Sequence, residues 1–297
     1  MSDSSTTTSL SHWIEGARPR TLPAAVAPVL AGTGVAAFEG QVVWVRALLA
    51  LGVSLALQIG VNYANDYSDG VRGTDDDRVG PLRLVGSGLA SARSVKWAAI
   101  AFLGLGAALG LVLAALTTWW LLLVGLAALG AAWTYTGGPS PYGYRALGEV
   151  SVFVFFGLVA VLGTVYVQLE RLTPNAWAAA VGVGALACAI LVANNLRDIP
   201  TDEVVGKRTL AVVLGDRGSR RLYAGLVLGA GVAAIAAAAT STPWALLALG
   251  GVALALPATR TVLGTTTGAA LVPVLRDTGR AELVYAALLA AGLVLGR

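Results

Sequence analysis

Long apolar runs, separated by short polar stretches, recur along the whole chain. Nine can be marked, at residues 21–38, 45–67, 95–116, 119–136, 146–168, 176–197, 222–240, 243–262 and 282–295. Most approach the ~20 residues that an α-helix needs to cross the hydrocarbon core of a bilayer; the first and last are short for that. Of 297 residues, 57% are hydrophobic and only 12% charged, roughly half the charged share of a soluble domain. A water-soluble fold of this length has nowhere to hide so much apolar surface. The chain therefore reads as an all-α polytopic membrane protein, a bundle of nine transmembrane helices. Strand-type alternation, the mark of an outer-membrane barrel, is absent. Residues 1–11 are rich in Ser and Thr and read as a disordered tail before a single transmembrane domain at 12–297. They lack the basic region and apolar core of a signal peptide.

The basic residues orient the bundle. With a cytoplasmic N-terminus, only Arg46, Arg171 and Arg297 fall on the outer side, and the rest of the 20 Lys and Arg fall on the inner side. That asymmetry follows the positive-inside rule. It supports the nine-span count and a multi-pass protein of the cell (inner or plasma) membrane. It also accounts for the net charge of +4 without nucleic acid as a partner. The second and sixth spans then both run from outside to inside. The loops after them, about 70–94 and 199–221, and the turn at 137–145 open on the cytoplasmic face.

Two acidic clusters stand at the ends of those spans. The first runs from Asn62 through Asn65 and Asp66 to Asp69, and the second from Asn194 through Arg197 and Asp198 to Asp202. Carboxylates at a membrane boundary are costly to desolvate, and they commonly mark functional sites. Asn62, Asp66 and Asp69 are spaced to share one helical stripe. Asn194, Asp198 and Asp202 are spaced in a similar way, but Pro200 is expected to loosen the helix and leave Asp202 on a turn. Amide and carboxylate oxygens suit a hard cation such as Mg²⁺. No His or Cys stands with them, which disfavours zinc or copper. Each aspartate has an alternative role as an interfacial ion pair with a nearby arginine. Two clusters on one face, each with an Asn one turn earlier, favour the metal site. The run Asp75-Asp76-Asp77, beside Arg78, reads as solvated loop.

Cations follow both clusters. Arg72 lies just past the first, and Lys207 and Arg208 just past the second; guanidinium forks grip phosphate oxygens well. Tyr144 and Arg145, between the fourth and fifth spans, are placed to reach the same region. Each cation is equally accounted for by the positive-inside bias. Tyr63, Tyr67, Tyr135 and Tyr142 are either cavity-lining or interfacial aromatics. His12 lies with Trp13 in an amphipathic lead-in, from which Arg18 and Arg20 could meet an anionic substrate. Cys188, inside an apolar run, reads as a small buried side chain. Helix, Asn/Asp face and basic loop occur twice in the same order, which suggests an internal duplication. No P-loop or dinucleotide fingerprint is present.

With these residues in view, Asn62-x-x-x-Asp66-x-x-Asp69 and Asp198-x-x-x-Asp202 resemble the two Asp-rich motifs of the UbiA superfamily of intramembrane prenyltransferases. The resemblance covers nearly the whole chain. More narrowly, the stretches RPRTLPAAVAPVLAGTG (18–34), NYANDYSDGVRGTD (62–75) and NNLRDIPTDEVVGKRTLAVVLG (194–215) are similar to the 1,4-dihydroxy-2-naphthoate polyprenyltransferases of menaquinone synthesis.

That likeness implies a UbiA-type bundle of nine helices around a cavity open to the cytoplasm and the lipid. It implies two Mg²⁺ ions on the diphosphate of a polyprenyl donor. Asn62, Asp66, Asn194, Asp198 and Asp202 would be metal ligands, with Asp69 a ligand or proton acceptor. Arg72, Tyr144, Arg145, Lys207 and Arg208 would hold the diphosphate, although many relatives have Lys where Arg145 stands. Arg18, Arg20 or Tyr63 would meet the acceptor. The implied reaction joins the prenyl group to 1,4-dihydroxy-2-naphthoate with loss of CO₂ and diphosphate, giving demethylmenaquinol. Other acceptors, such as 4-hydroxybenzoate or homogentisate, are the alternative within the superfamily. From a different class, a cation-coupled secondary transporter also places carboxylates in membrane helices. Transporter sites tend to lie mid-bilayer, whereas both clusters here sit at helix ends beside basic loops.

Overall fold

The computed structural model describes residues 8–73 and 82–297; the run Asp75-Asp76-Asp77 lies outside the described residues. Ser9 caps the first helix, α1 (Leu10–Gly16), in a reciprocal capping box with His12. The helix therefore starts within the stretch read as a tail. Arg18 follows in the left-handed region (φ 54°), which is uncommon for a residue with a Cβ. It turns the chain so that α1 with its 3₁₀ turn is bent by 49° from α2 (Pro23–Phe38).

The chain continues through α3 (Trp44–Arg72), α4 (Ala92–Leu116) and the short α5 (Leu121–Thr134). One rod then joins α6 (Gly148–Val152), a π-helical stretch (Phe153–Leu162) and α7 (Gly163–Leu169). After it come α8 (Pro174–Val204), α9 (Leu210–Ala239), α10 (Leu249–Leu263) and α11 (Val272–Leu295), the last two each led in by a 3₁₀ turn. Every apolar run marked in the sequence falls on one of these helical units. Among the described residues seven units are long and apolar enough to cross a bilayer, or eight if the bent pair is one span. α5 is apolar but spans only 14 residues. Among the described residues there is no strand, only an isolated bridge between Arg145 and Arg208.

Helix α8 is the central element, packed against α9, α11, α2 and the π-helical stretch. Small residues set its spacing. Gly157 and Gly184 let the π-helical stretch and α8 meet backbone to backbone, because a Cβ on either would stand within 3 Å of the other's Cα. Without a hydrophobic drive between helices in lipid, such close packing is what holds them together.

Two boundaries differ from expectation. α8 runs through Pro200 to Val204 and keeps Asp202 helical. The proline lies four residues from the helix end, so little of the hydrogen-bond ladder is lost. The connection that follows is only residues 205–209, because Thr209 caps α9 at once. α11 begins at Val272, well before residue 282. Its first turns expose Arg276, Asp277 and Arg280 while burying Val274, Thr278 and Ala281. That amphipathic start is hidden from a search for apolar runs.

The ends of the bundle are chemically distinct. At one end Arg46 pairs with Glu170, Arg171 pairs with Glu39, and Arg297 donates to the Gly40 carbonyl. α3 and α8 both start there, so both acidic clusters lie at the opposite end.

Candidate active site

Helix α3 turns Ser54, Gln58, Asn62, Asn65 and Asp69 inward at three- and four-residue steps, the spacing of one helical face. Helix α8 presents Asn194, Asn195, Asp198 and Asp202 to the same space. The two faces border one cavity of about 440 Å³. Away from its polar end the walls are apolar, with Val53, Leu57, Leu113, Leu121, Phe155 and Phe156 among them.

Asp69 ties the polar end together. Its Oδ1 accepts from the Tyr144 hydroxyl at 2.6 Å and faces Lys207 Nζ at 3.8 Å; its Oδ2 faces Arg83 Nη2 at 3.4 Å. Lys207 Nζ also stands 4.7 Å from the centre of the Tyr144 ring, a favourable cation–π placement. Backbone bonds set these groups in place: Lys207 N donates to the Asp202 carbonyl (2.8 Å) and Arg208 N to that of Tyr144 (3.1 Å). Residues from α3, the turn before α6 and the connection after α8 thereby form one cluster.

Asp66 is turned away from the cavity. Its two carboxylate oxygens accept from the backbone amides of Leu84 (2.7 Å) and Val85 (3.1 Å), and the residue is only 1% exposed. The expected ligand is in this structure a clamp on the segment that carries Arg83. Gly70 permits the contact, since a Cβ there would meet the Val85 side chain at 2.5 Å. Asn65 takes the inward place on the stripe, and its Oδ1 accepts from Thr136 Oγ1 at 2.7 Å. Asn62 remains inward, with its amide nitrogen donating to the Ala17 carbonyl (2.9 Å) and to Thr21 Oγ1 (3.0 Å).

The second cluster carries its own cation. Arg197 grips Asp198 side-on at 2.6 and 2.7 Å and reaches Asn194 Oδ1 at 3.0 Å. Asn194, Asp198 and Asp202 all line the cavity.

The five expected diphosphate holders divide. Tyr144 and Lys207 line the cavity. Arg72 instead straps the end of α5, donating to the carbonyls of Thr136 and Gly138. Arg145 turns outward to Ser140, and Arg208 is exposed. Of the acceptor candidates, Arg18 lines the cavity, Arg20 is exposed, and Tyr63 is buried outside it. The Tyr63 hydroxyl donates to the Trp13 carbonyl at 2.7 Å, so the side chain fixes α1 onto α3. Tyr135 and Tyr142 line the cavity, whereas Tyr67 stacks on Trp133. Burial pushes the Tyr142 phenol above its ordinary pKa. It remains a neutral donor to the Ala131 carbonyl (2.9 Å) and pairs with Ser151 Oγ (2.8 Å).

Sequence reasoning missed Arg83, Thr21, Asn65 and Asn195. Asn65 was within reach, because it precedes Asp69 by one helical turn. Arg83 was not, since only the Asp66 clamp brings it over the site.

The donor set suits magnesium in one particular way. Among the described residues no three His, Cys, Asp or Glu side chains come close enough to cage a metal. Mg²⁺ rarely takes an all-protein cage. It keeps one or two carboxylates and fills its shell with phosphate oxygens and water. Asp69, Asp198 and Asp202 border the same cavity and supply carboxylate oxygens of the kind that role calls for.

Oxygen donors and cations at the polar end of an apolar cavity, within a membrane bundle, define a membrane-embedded enzyme for a substrate with an anionic head and an apolar tail. The chain belongs to the UbiA prenyltransferase family, whose model matches residues 25–275. It is 57% identical over 289 residues to the 1,4-dihydroxy-2-naphthoate octaprenyltransferase of Mycobacterium tuberculosis, covering 97% of this chain and 99% of that one. It is 44% identical over 225 residues to the Escherichia coli protein of the same name, covering 73% of each. Among solved structures, a UbiA homolog from Archaeoglobus fulgidus bound to DMAPP and Mg²⁺ superposes with a TM-score of 0.68 at 16% identity, over 95% of this chain and 99% of that one.

Proposed function

We propose that the protein transfers a polyprenyl group from polyprenyl diphosphate to 1,4-dihydroxy-2-naphthoate, with loss of CO₂ and diphosphate, giving demethylmenaquinol. The observation that carries the reading is the shared cavity: acidic faces from α3 and α8 meet at its polar end, and an apolar channel continues from there. The near full-length identity to a naphthoate octaprenyltransferase supports the acceptor.

Asp69, Asp198, Asp202, Asn65 and Asn194 would hold the magnesium, two ions in this reading. Bound magnesium would offset the negative charge growing on the departing diphosphate. Lys207, Arg83 and the Tyr144 hydroxyl, gathered on Asp69, would offer positive charge and a donor to the diphosphate oxygens, and such preorganised groups act most strongly where water is excluded. The allylic C–O bond breaks, the electron-rich naphthoate ring attacks the allylic carbon, and loss of CO₂ restores aromaticity. Leu57, Phe155, Phe156 and their neighbours keep water from quenching the carbon centre and seat the tail. Arg18, on the N-terminal side of the cavity, is the acceptor carboxylate's partner in this scheme.

In this reading the protein lies in the cell membrane, with α1–α2 and α5 each completing a span for nine in all. The positive-inside bias puts the N-terminus and the acidic end at the cytoplasm. Purified protein supplied with Mg²⁺, a polyprenyl diphosphate and dihydroxynaphthoate is expected to release diphosphate and form the prenylated quinol. No release, with Asp69→Asn behaving like the parent, would end the enzymatic reading. Faster turnover with 4-hydroxybenzoate or homogentisate would move the protein to another acceptor.

A further inference from the structure

Asn195 and Glu149 form a pair that the scheme above does not use. Asn195 lies on α8 three residues before Asp198, about 4.5 Å deeper along the helix axis, and it lines the cavity. Its Nδ2 donates to Glu149 Oε1 at 2.9 Å. Glu149 is 7% exposed and does not line the cavity. The pair fixes which end of the amide faces which way. With Nδ2 committed to the carboxylate behind the wall, Oδ1 is the polar atom that Asn195 can offer to the cavity. Oδ1 makes no hydrogen bond among the described residues, yet it is not sealed from the cavity. Asn195 lines the cavity one turn before Asp198, so an Oδ1 open to that cavity is placed to accept from a ligand that carries a donor. The same cavity is lined by Tyr142 and by Ser151, which shares α6 with Glu149, and their hydroxyls pair with each other. That surface suits an aromatic ring bearing hydroxyl groups and does not suit an isoprenoid tail.

We infer that Asn195 Oδ1 accepts a hydrogen bond from a ring hydroxyl of the acceptor, and that Glu149 is the positioning residue that keeps the amide in that orientation. This inference rests on the proposed activity and names the side chain that reads the acceptor. It assigns the diphosphate and the hydroxylated ring to different groups: Lys207, Tyr144 and, through magnesium, Asp69 for the first, Asn195 for the second. A site built to hydrogen-bond a substrate hydroxyl rejects analogues lacking it far more strongly than an apolar pocket rejects a missing methylene.

The test uses the full chain in detergent or nanodiscs, with separate KM values for dihydroxynaphthoate and polyprenyl diphosphate. Asn195→Leu and Glu149→Met are each expected to raise the acceptor KM by about tenfold or more, while the donor KM stays within about threefold, because a contact to one substrate alone is lost. Glu149→Gln keeps an acceptor for Nδ2 and is expected to recover most of the loss. The monohydroxylated 1-hydroxy- and 4-hydroxy-2-naphthoates serve as competitive inhibitors. The parent should bind one of them more weakly than the dihydroxy compound, and Asn195→Leu should lose that preference. An unfolding midpoint checks each variant; if Glu149→Met does not fold, Asn195→Leu and Asn195→Ser carry the test. An unchanged acceptor KM in the Asn195 variants, or an equal rise in both KM values, overturns the inference and leaves the activity standing. A parent that prenylates no hydroxylated aromatic overturns both.

Discussion

The Tyr144 hydroxyl donates to Asp69 Oδ1 across 2.6 Å, joining the turn before α6 to the end of α3. The Tyr144 ring also faces Lys207, and the Tyr144 carbonyl accepts from Arg208 N. One tyrosine therefore links three distant segments of chain at the polar end of the cavity. Tyr144→Phe keeps the ring and removes the donor. The expected loss of stability is about 1.5–3 kcal/mol, the range for a hydrogen bond to a charged partner. The donor KM should rise about tenfold, the equivalent of ~1.4 kcal/mol. Thermal unfolding and steady-state kinetics measure the two effects separately.

Asp66 and Asp69 are three residues apart and are expected to fail differently. Asp66→Ala strips the acceptors from the Leu84 and Val85 amides. Leaving buried donors unsatisfied costs about 1–3 kcal/mol each, so hydrogen exchange at residues 83–87 should accelerate and Arg83 should leave the site. Asp69→Asn should preserve that protection while reducing turnover by at least ~100-fold, as expected when a preorganised charge is lost from a reaction centre. Unchanged exchange in Asp66→Ala would contradict the clamp.

These contrasts also define what the sequence could reveal. Each apolar run marked a helical unit, because bilayer thickness imposes a length that composition records, whereas α1 and the amphipathic start of α11 carry no such run. The clusters were visible because carboxylates at helix ends in a membrane are rare. Which face of α3 turns inward was less visible: Asn62, Asp66 and Asp69 fit a stripe, but so do Asn62, Asn65 and Asp69. The choice between them is made by Leu84 and Val85, which take the Asp66 carboxylate for their amides. Arg72, Arg145 and Arg208 all read in the sequence as cations able to hold the diphosphate. All three are exposed, Arg72 strapped to the Thr136 and Gly138 carbonyls and Arg145 turned to Ser140. Such outcomes depend on contacts between distant segments, and spacing along one segment does not encode them.

The apolar wall predicts control over the donor. Ala128 and Phe156 line the cavity beyond its polar end. Ala128→Phe fills part of the channel and should shift preference toward shorter prenyl diphosphates. Phe156→Ala opens it and should relax that preference. Discrimination in an apolar pocket is modest, about 1–3 kcal/mol per methylene, so competition between donors of different length, read by mass spectrometry of the products, is the sensitive assay.

The central claim is that the ends of α3 and α8 build one magnesium–diphosphate site. Calorimetric binding of a non-hydrolysable prenyl thiodiphosphate, with and without Mg²⁺, tests it directly in the parent, in Asp69→Asn, in Asp198→Asn and in the double variant. Residues acting on one bound group couple, and independent sites add. The account predicts that binding in the parent requires Mg²⁺, that either substitution weakens it by about tenfold or more, and that the double variant is little worse than either alone. Magnesium-independent binding, or losses that simply add, would contradict it.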